Sequence, residues 1–199
     1  MDVRSAKEAA EIAETGDPAL KFNGFGNVSA EWMPCKALWL KRNEPENYEK
    51  ADVVCECADW MTYKLTGKWT CNMSNIAARW YYDKNEGGFP RSLYQAIGLE
   101  DVLDKFPQEI HDLGDNLGTI TGEAAEYLGL SKGTIIAQGG VDAFIGCFGL
   151  GVISPGKVAL ITGSSHLIIG LTSTYNYSKS GVFGPYPGDL RPEYGMVEG

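Results

Sequence analysis

No stretch of this 199-residue sequence stays apolar long enough to cross a bilayer as a helix, which takes roughly 20 residues. Basic charge is in short supply too: 17 Lys and Arg against 26 Asp and Glu leave a net charge of −9. So acidic a chain repels phosphate backbones and anionic headgroups, so neither nucleic acid nor a membrane is expected as a partner. The opening, MDVRSAKEAAEI, lacks a signal-peptide pattern. Cysteines are few and odd in number: Cys35, Cys55, Cys57, Cys71 and Cys147 sit in mostly apolar segments and cannot all pair. A reducing, cytoplasmic setting is the expectation. Cys55-Glu56-Cys57 has no second Cys or His pair nearby, which argues against zinc and leaves no metal ligand set in view. Internal repeats and low-complexity tracts are absent as well.

What is present is ordinary for a globular chain: 44% hydrophobic and 22% charged residues, enough to bury a core as one large domain or parts of two. Alanines and charges at helical spacing predict a helix over 1–15, ending at Gly16. NGFGNVSAEWMP (23–34) reads as a loop carrying Glu31 and Trp32, and CKALWLKRN (35–43) as a helix broken at Pro45. A helix closed by Gly67 follows, then a polar loop with a short helix holding Arg79, and a brief helix over 123–130. Ile135, Ile136 and Ala137 predict a short buried strand, and VALITGSSHLIIGLT (158–172) two buried strands around a tight turn. GVISPGK (151–157) has the punctuation of a domain junction, and 173–199 reads as loop.

Asp142 stands out in IIAQGGVDAFIGCFGLG (135–151), between a Gly pair and an apolar helical run. It reads as a helix N-cap, or as a carboxylate at the C-terminal edge of a sheet, where α/β proteins place ligands. FGLGVISPG (148–156) is no dinucleotide loop, because it lacks a third glycine and follows a helix rather than a strand. Arg79 can offer two parallel hydrogen bonds to a ligand, or pair with Asp83 at i+4 on a surface. TGSSH (162–166) reads by itself as a hairpin turn.

In order and spacing, MDVRSAKEA (1–9), KALWLKRNEPE (36–46), YKLTG (63–67), SNIAARW (74–80), GGVDAFIGCFGLGVISPGKVALITGSSH (139–166) and VEG (197–199) resemble the FGGY carbohydrate kinases. Within that family the similarity is to pentulose kinases of ribulokinase type. The resemblance implies an α/β, ribonuclease H-like, actin-like ATPase fold, present here in part. Residues 1–152 would belong to the sugar-binding domain and 153–199 would begin the nucleotide-binding one. The family's opening Asp-x-Gly-Thr phosphate loop, whose carboxylate helps hold magnesium, does not occur in this sequence. The chain thus resembles an interior piece of a longer kinase, expected by itself to lack turnover.

What the resemblance implies about function is ATP-dependent phosphorylation of a sugar hydroxyl, that of a ketopentose such as ribulose or xylulose, or of a related polyol. Asp142 would be the general base, accepting the hydroxyl proton as the sugar oxygen attacks ATP. Gly163, Ser164 and Ser165 would form the second phosphate loop. Arg79 and Glu198 would reach the sugar, as would Glu31, while Asp2 and Ser5 fall in a motif lining its site. His166 reads as structural. ATP and Mg2+ are the implied cofactors, a small-molecule sugar the partner, and a homodimer the expected assembly. The alternative is a non-catalytic sugar-binding or regulatory relative.

Overall fold

The computed structural model describes residues 2–26, 28–163, 166–177 and 181–199. The alanine-rich opening folds as α1 (Ala6–Glu14), burying Ala9 and Ile12 one turn apart. A 3-10 turn (Pro18–Asn23) follows, opened by Asp17, whose carboxylate accepts the Ala19 N–H at 2.9 Å. α2 (Met33–Asn43) and α3 (Pro45–Lys50) both carry a proline in the first turn, where its missing N–H has no helical partner to lose. Glu8 of α1 is buried against α2, where Arg42 lies 3.6 Å away. α4 (Cys57–Thr66) stops where Gly67 turns left-handed at φ 73°.

β1 (Cys71–Asn72) runs directly into α5 (Met73–Arg79). After α6 (Arg91–Ala96) and α7 (Val102–Lys105), β2 (Ile110–His111) returns to pair with β1 in parallel. The core gathers around α5: Ile76, Trp80, Tyr94 and Leu99 are fully buried. The Trp80 ring meets Phe106 edge-on, and Phe106 stacks on Phe89 with centroids 5.1 Å apart. Such ring pairs add about 0.5–1.5 kcal/mol each beyond the area they bury.

β3 (Asn116–Thr119) and β4 (Ile135–Ala137) form an antiparallel ribbon, with α8 (Gly122–Leu128) between them in sequence. β4 is not the buried strand its composition predicts: Ile135 is 62% exposed, because a two-stranded ribbon carries it and no described element covers that face. α9 (Asp142–Gly149) then leads to β5 (Val158–Thr162), β6 (His166–Thr172), β7 (Phe183–Pro187) and β8 (Gly195–Glu198). These four strands make one antiparallel sheet in the order β5–β6–β8–β7.

Two expectations fail in this sheet. The stretch 173–199, read as loop, holds β7 and β8; β7 is an edge strand, the place in a sheet where Pro185 and Pro187 are tolerated. β5 and β6 are not buried on both faces. Ala159 and Ile169 face inward, while Val158 and Leu160 on the outer face are 71% and 62% exposed. β5 is the opposite edge, and no described element covers its outer side. No helix among the described residues is long and apolar enough to cross a membrane.

Candidate active site

α5 is seven residues long and places its last residue, Arg79, at the mouth of a cavity of about 300 Å³. Asn72 starts this helix by accepting the Ser74 N–H at 2.9 Å through its side chain. At the other end, Arg79 Nη1 donates to Glu198 Oε1 at 2.9 Å, across 119 residues of sequence. The guanidinium lies 5.8 Å from the Trp32 ring centroid and 5.6 Å from that of Phe144. Burial works against the Arg79 charge, but the Glu198 carboxylate, together with Tyr186 and Asp189, offsets it and holds the pKa above the ordinary arginine value. Of the two readings of Arg79, the surface pair with Asp83 is therefore wrong. Asp83 instead takes Lys21, at 2.9 Å.

Glu198 closes the cavity from β8 and is only 5% exposed. Tyr186 of β7 donates its hydroxyl to the same Oε1 at 3.4 Å, while Oε2 is buried without a hydrogen-bond partner. A carboxylate oxygen left bare in this way is costly, by about 1–3 kcal/mol, unless a ligand hydroxyl meets it. Trp32, Glu31, Ser29, Phe183 and Leu167 also line the cavity. Phe183 packs on Trp32 with centroids 6.1 Å apart.

Asp2 and Ser5 do not line this cavity. They border a second depression of about 170 Å³ with Met33, Lys36 and Trp39. Asp2 is paired with Arg4 at 2.8 Å, and their hydrogen bonds lower its pKa to about 2. Ser5 is buried and donates to the Ala30 carbonyl at 2.6 Å, so it braces the loop that carries Glu31 and Trp32.

Asp142 is the first residue of α9; the N-cap position belongs to Val141, which lacks a side chain able to cap. The Asp142 carboxylate is exposed and accepts the Ala143 N–H at 2.7 Å, so it still meets the positive end of the helix. Phe144, from the same turn, is the ring that lies against Arg79, so the start of α9 borders the Arg79–Glu198 wall. The Gly pair before Asp142 is tightly seated. The Gly139 carbonyl accepts from Asn72 Nδ2 at 2.6 Å, and a Cβ on Gly140 would come within 3.1 Å of Ser74 and closer still to Leu113.

Gly163 lies exposed at the end of β5, and Ser164 and Ser165 fall outside the described residues. Glycine backbone and hydroxyls are suitable donors for a nucleotide phosphate. For magnesium the fit is poor, since no three metal-ligating side chains gather among the described residues. Sequence reasoning missed Phe183, Tyr186 and Asp189, all in the stretch read as loop. Asp189 is buried, accepts the Ser74 hydroxyl at 2.9 Å, and is pushed well above the usual carboxylate range by burial, against the pull of Ser74 and Arg79. The polar cap at Asn72 had a signal, an Asn directly ahead of a helical run.

With that geometry in place, comparison with known proteins is informative. The model of the FGGY family of carbohydrate kinases, N-terminal domain, matches residues 1–149. The chain belongs to the FGGY family. It is 32% identical over 191 residues to the ribulokinase of Anoxybacillus flavithermus, covering 92% of this chain and 34% of that protein. It is 32% identical over 168 residues to the autoinducer-2 kinase of Salmonella typhimurium, covering 82% of this chain and 31% of the relative. The chain thus spans about a third of the length of these curated relatives. Among solved structures, the xylulose kinase of Rhodospirillum rubrum superposes with a TM-score of 0.81 at 24% identity, over 100% of this chain and 40% of that one. The Plasmodium falciparum glycerol kinase gives 0.80 at 19%, with the same coverage. The fold of this FGGY chain is accordingly the α/β, actin-like ATPase fold of sugar kinases, in part.

Proposed function

We propose that this chain supplies the sugar-holding wall and the general base of an ATP-dependent carbohydrate kinase acting on a ketopentose or related polyol. In this reading residues 1–152 form most of the sugar-binding domain and 153–199 begin the nucleotide-binding domain. The observation that carries it is the Arg79–Glu198 pair: a half-buried donor and a buried acceptor, side by side, lining a small cavity with aromatic rings. A polyol offers hydroxyls that both donate and accept. Arg79 donates to a hydroxyl oxygen, while Glu198 Oε2 accepts a hydroxyl hydrogen and loses its unpaired state. Trp32 and Phe183 pack on the carbon-bound hydrogens of the ligand. A wall of this kind rejects analogues lacking the hydroxyl far more strongly than it rejects ones of altered size.

Asp142 then removes the proton from the reacting hydroxyl as its oxygen attacks the terminal phosphoryl of ATP; the bond to the ADP oxygen breaks, and the proton stays on Asp142 until solvent takes it. Gly163, with Ser164 and Ser165, holds phosphate oxygens in this reading through N–H and hydroxyl donors. General-base assistance contributes on the order of a hundredfold to ten-thousandfold in rate. The test is to incubate the polypeptide that carries this chain with ATP and ribulose or xylulose, and to weigh the products by mass spectrometry. A phosphorylated ketopentose is expected. Sugar binding with no phosphorylated product would favour the non-catalytic sugar-binding relative instead.

A further inference from the structure

The first turn of α5 holds a knot of buried polar groups that the sugar wall does not use. Asn72 is fully buried, and every polar atom of its side chain is occupied. Oδ1 accepts the N–H groups of Ser74 at 2.9 Å and Asn75 at 3.4 Å, while Nδ2 donates to the Gly139 carbonyl at 2.6 Å. Its own backbone N–H donates to Asp59 Oδ1 at 3.0 Å, which anchors the knot to α4. Flipping the carboxamide would set donor against donor and acceptor against acceptor, so its orientation is fixed by its neighbours. Two residues on, the Ser74 hydroxyl reaches Asp189 in the loop between β7 and β8, 115 residues away.

The chemistry separates two roles for Asn72. Capping α5 needs an acceptor only, and Asp, Ser or Thr would serve. The Gly139 bond needs a donor on the same side chain, and among short side chains the carboxamide offers both at fixed geometry. Gly139 stands three residues before Asp142, whose carboxylate is exposed and has one hydrogen bond to the chain, to the adjacent Ala143 N–H. Because that carboxylate is exposed and bonded only to its neighbour's N–H among the described residues, the course of the backbone through 139–142 sets where it points. The same helix that Asn72 starts ends on Arg79.

We propose that Asn72 is the positioning residue for Asp142: through the Gly139 carbonyl it fixes the turn that presents the carboxylate, in register with the Arg79 wall. The role rests on the reading of Asp142 as the base. Ser74, through Asp189, would do the same for the β7–β8 side of the wall. Misplacement of a reacting group by about 1 Å can cost roughly a hundredfold in rate.

Two variants separate the arms. Asn72→Ser keeps a good cap but cannot reach Gly139; Ser74→Ala leaves the cap and cuts the link to Asp189. Amide hydrogen exchange on the 199-residue chain is the first readout. Asn72→Ser should speed exchange of the Phe144 and Ile145 amides, which donate to the Val141 carbonyl in the turn after Gly139, by roughly tenfold while 76–79 stays protected. In the form of the protein that turns over, it should lower kcat by roughly tenfold to a hundredfold with the sugar KM nearly unchanged. Ser74→Ala should do the reverse, raising the sugar KM more than it lowers kcat. Unchanged exchange and kcat in Asn72→Ser, or loosening of α5 itself with kcat and KM shifting together, would overturn the proposal and leave Asn72 a cap. Should that variant not fold, the unmutated chain decides: the Asn72 carboxamide protons should exchange slowly with solvent, and fast exchange defeats the proposal. An unmutated protein without turnover would count against the kinase reading alone, since the exchange data still decide the hold on Gly139.

Discussion

The Arg79–Glu198 wall and Asp142 border one another through Phe144, yet they are held in opposite ways. The wall is locked: a half-buried arginine and a buried glutamate joined at 2.9 Å, two aromatic rings near the guanidinium, and a tyrosine hydroxyl on the carboxylate. Asp142 is exposed, with one local hydrogen bond. The difference matches the tasks proposed for them. A binding wall gains from being assembled before the ligand arrives, since little ordering remains to be done on binding. A proton acceptor must reach its substrate and change charge in each cycle, which deep burial opposes. Asp59 shows the opposite case in the same molecule: burial pushes its pKa up to about 7.

The comparison breaks most visibly at Asp142. Asp142→Asn should lower kcat by about a hundredfold to ten-thousandfold, because the amide keeps the shape and cannot take the proton. Its melting temperature should stay close to that of the unmutated protein, since the N-cap position belongs to Val141. Turnover near the original rate would make Asp142 a helix-start residue and nothing more. A smaller effect, of a different kind, is expected at the wall. Arg79→Met removes the partner of a carboxylate that is 5% exposed and should destabilise the fold by about 3 kcal/mol. Thermal unfolding would register this as a drop of several degrees. A melting temperature within a degree of the original would show that the ion pair does not hold the wall together.

The two regions also differ in how far they could be read from sequence. The start of α9 was legible: a Gly pair, an acid and an apolar run is a local pattern, and the helix begins at Asp142 as that pattern predicts. Even there the cap was placed one residue late. Gly67 ended α4 as expected, because a left-handed C-terminus is a property of one residue. The wall was only half legible. For Arg79 a partner at i+4 and a ligand role looked equivalent, and the actual partner lies 119 residues away, beyond any local rule. Tyr186 was missed because prolines and glycines hid the strand that carries it, and Asp189 because the residue that pairs with it, Ser74, lies 115 residues away. Val158, Leu160 and Ile168 misled in the other direction. Apolar composition predicts what needs cover, and burial requires an element to provide it.

The central claim is a division of labour, in which the wall holds the sugar and Asp142 performs the chemistry. Calorimetric titration of ribulose or xylulose into the unmutated protein, Arg79→Met and Asp142→Asn measures that division directly. The account predicts that Asp142→Asn binds the sugar within about threefold of the unmutated protein, while Arg79→Met weakens binding by roughly tenfold or more, the loss of a charged hydrogen bond. Equal weakening in both variants, or full affinity in Arg79→Met, would contradict it.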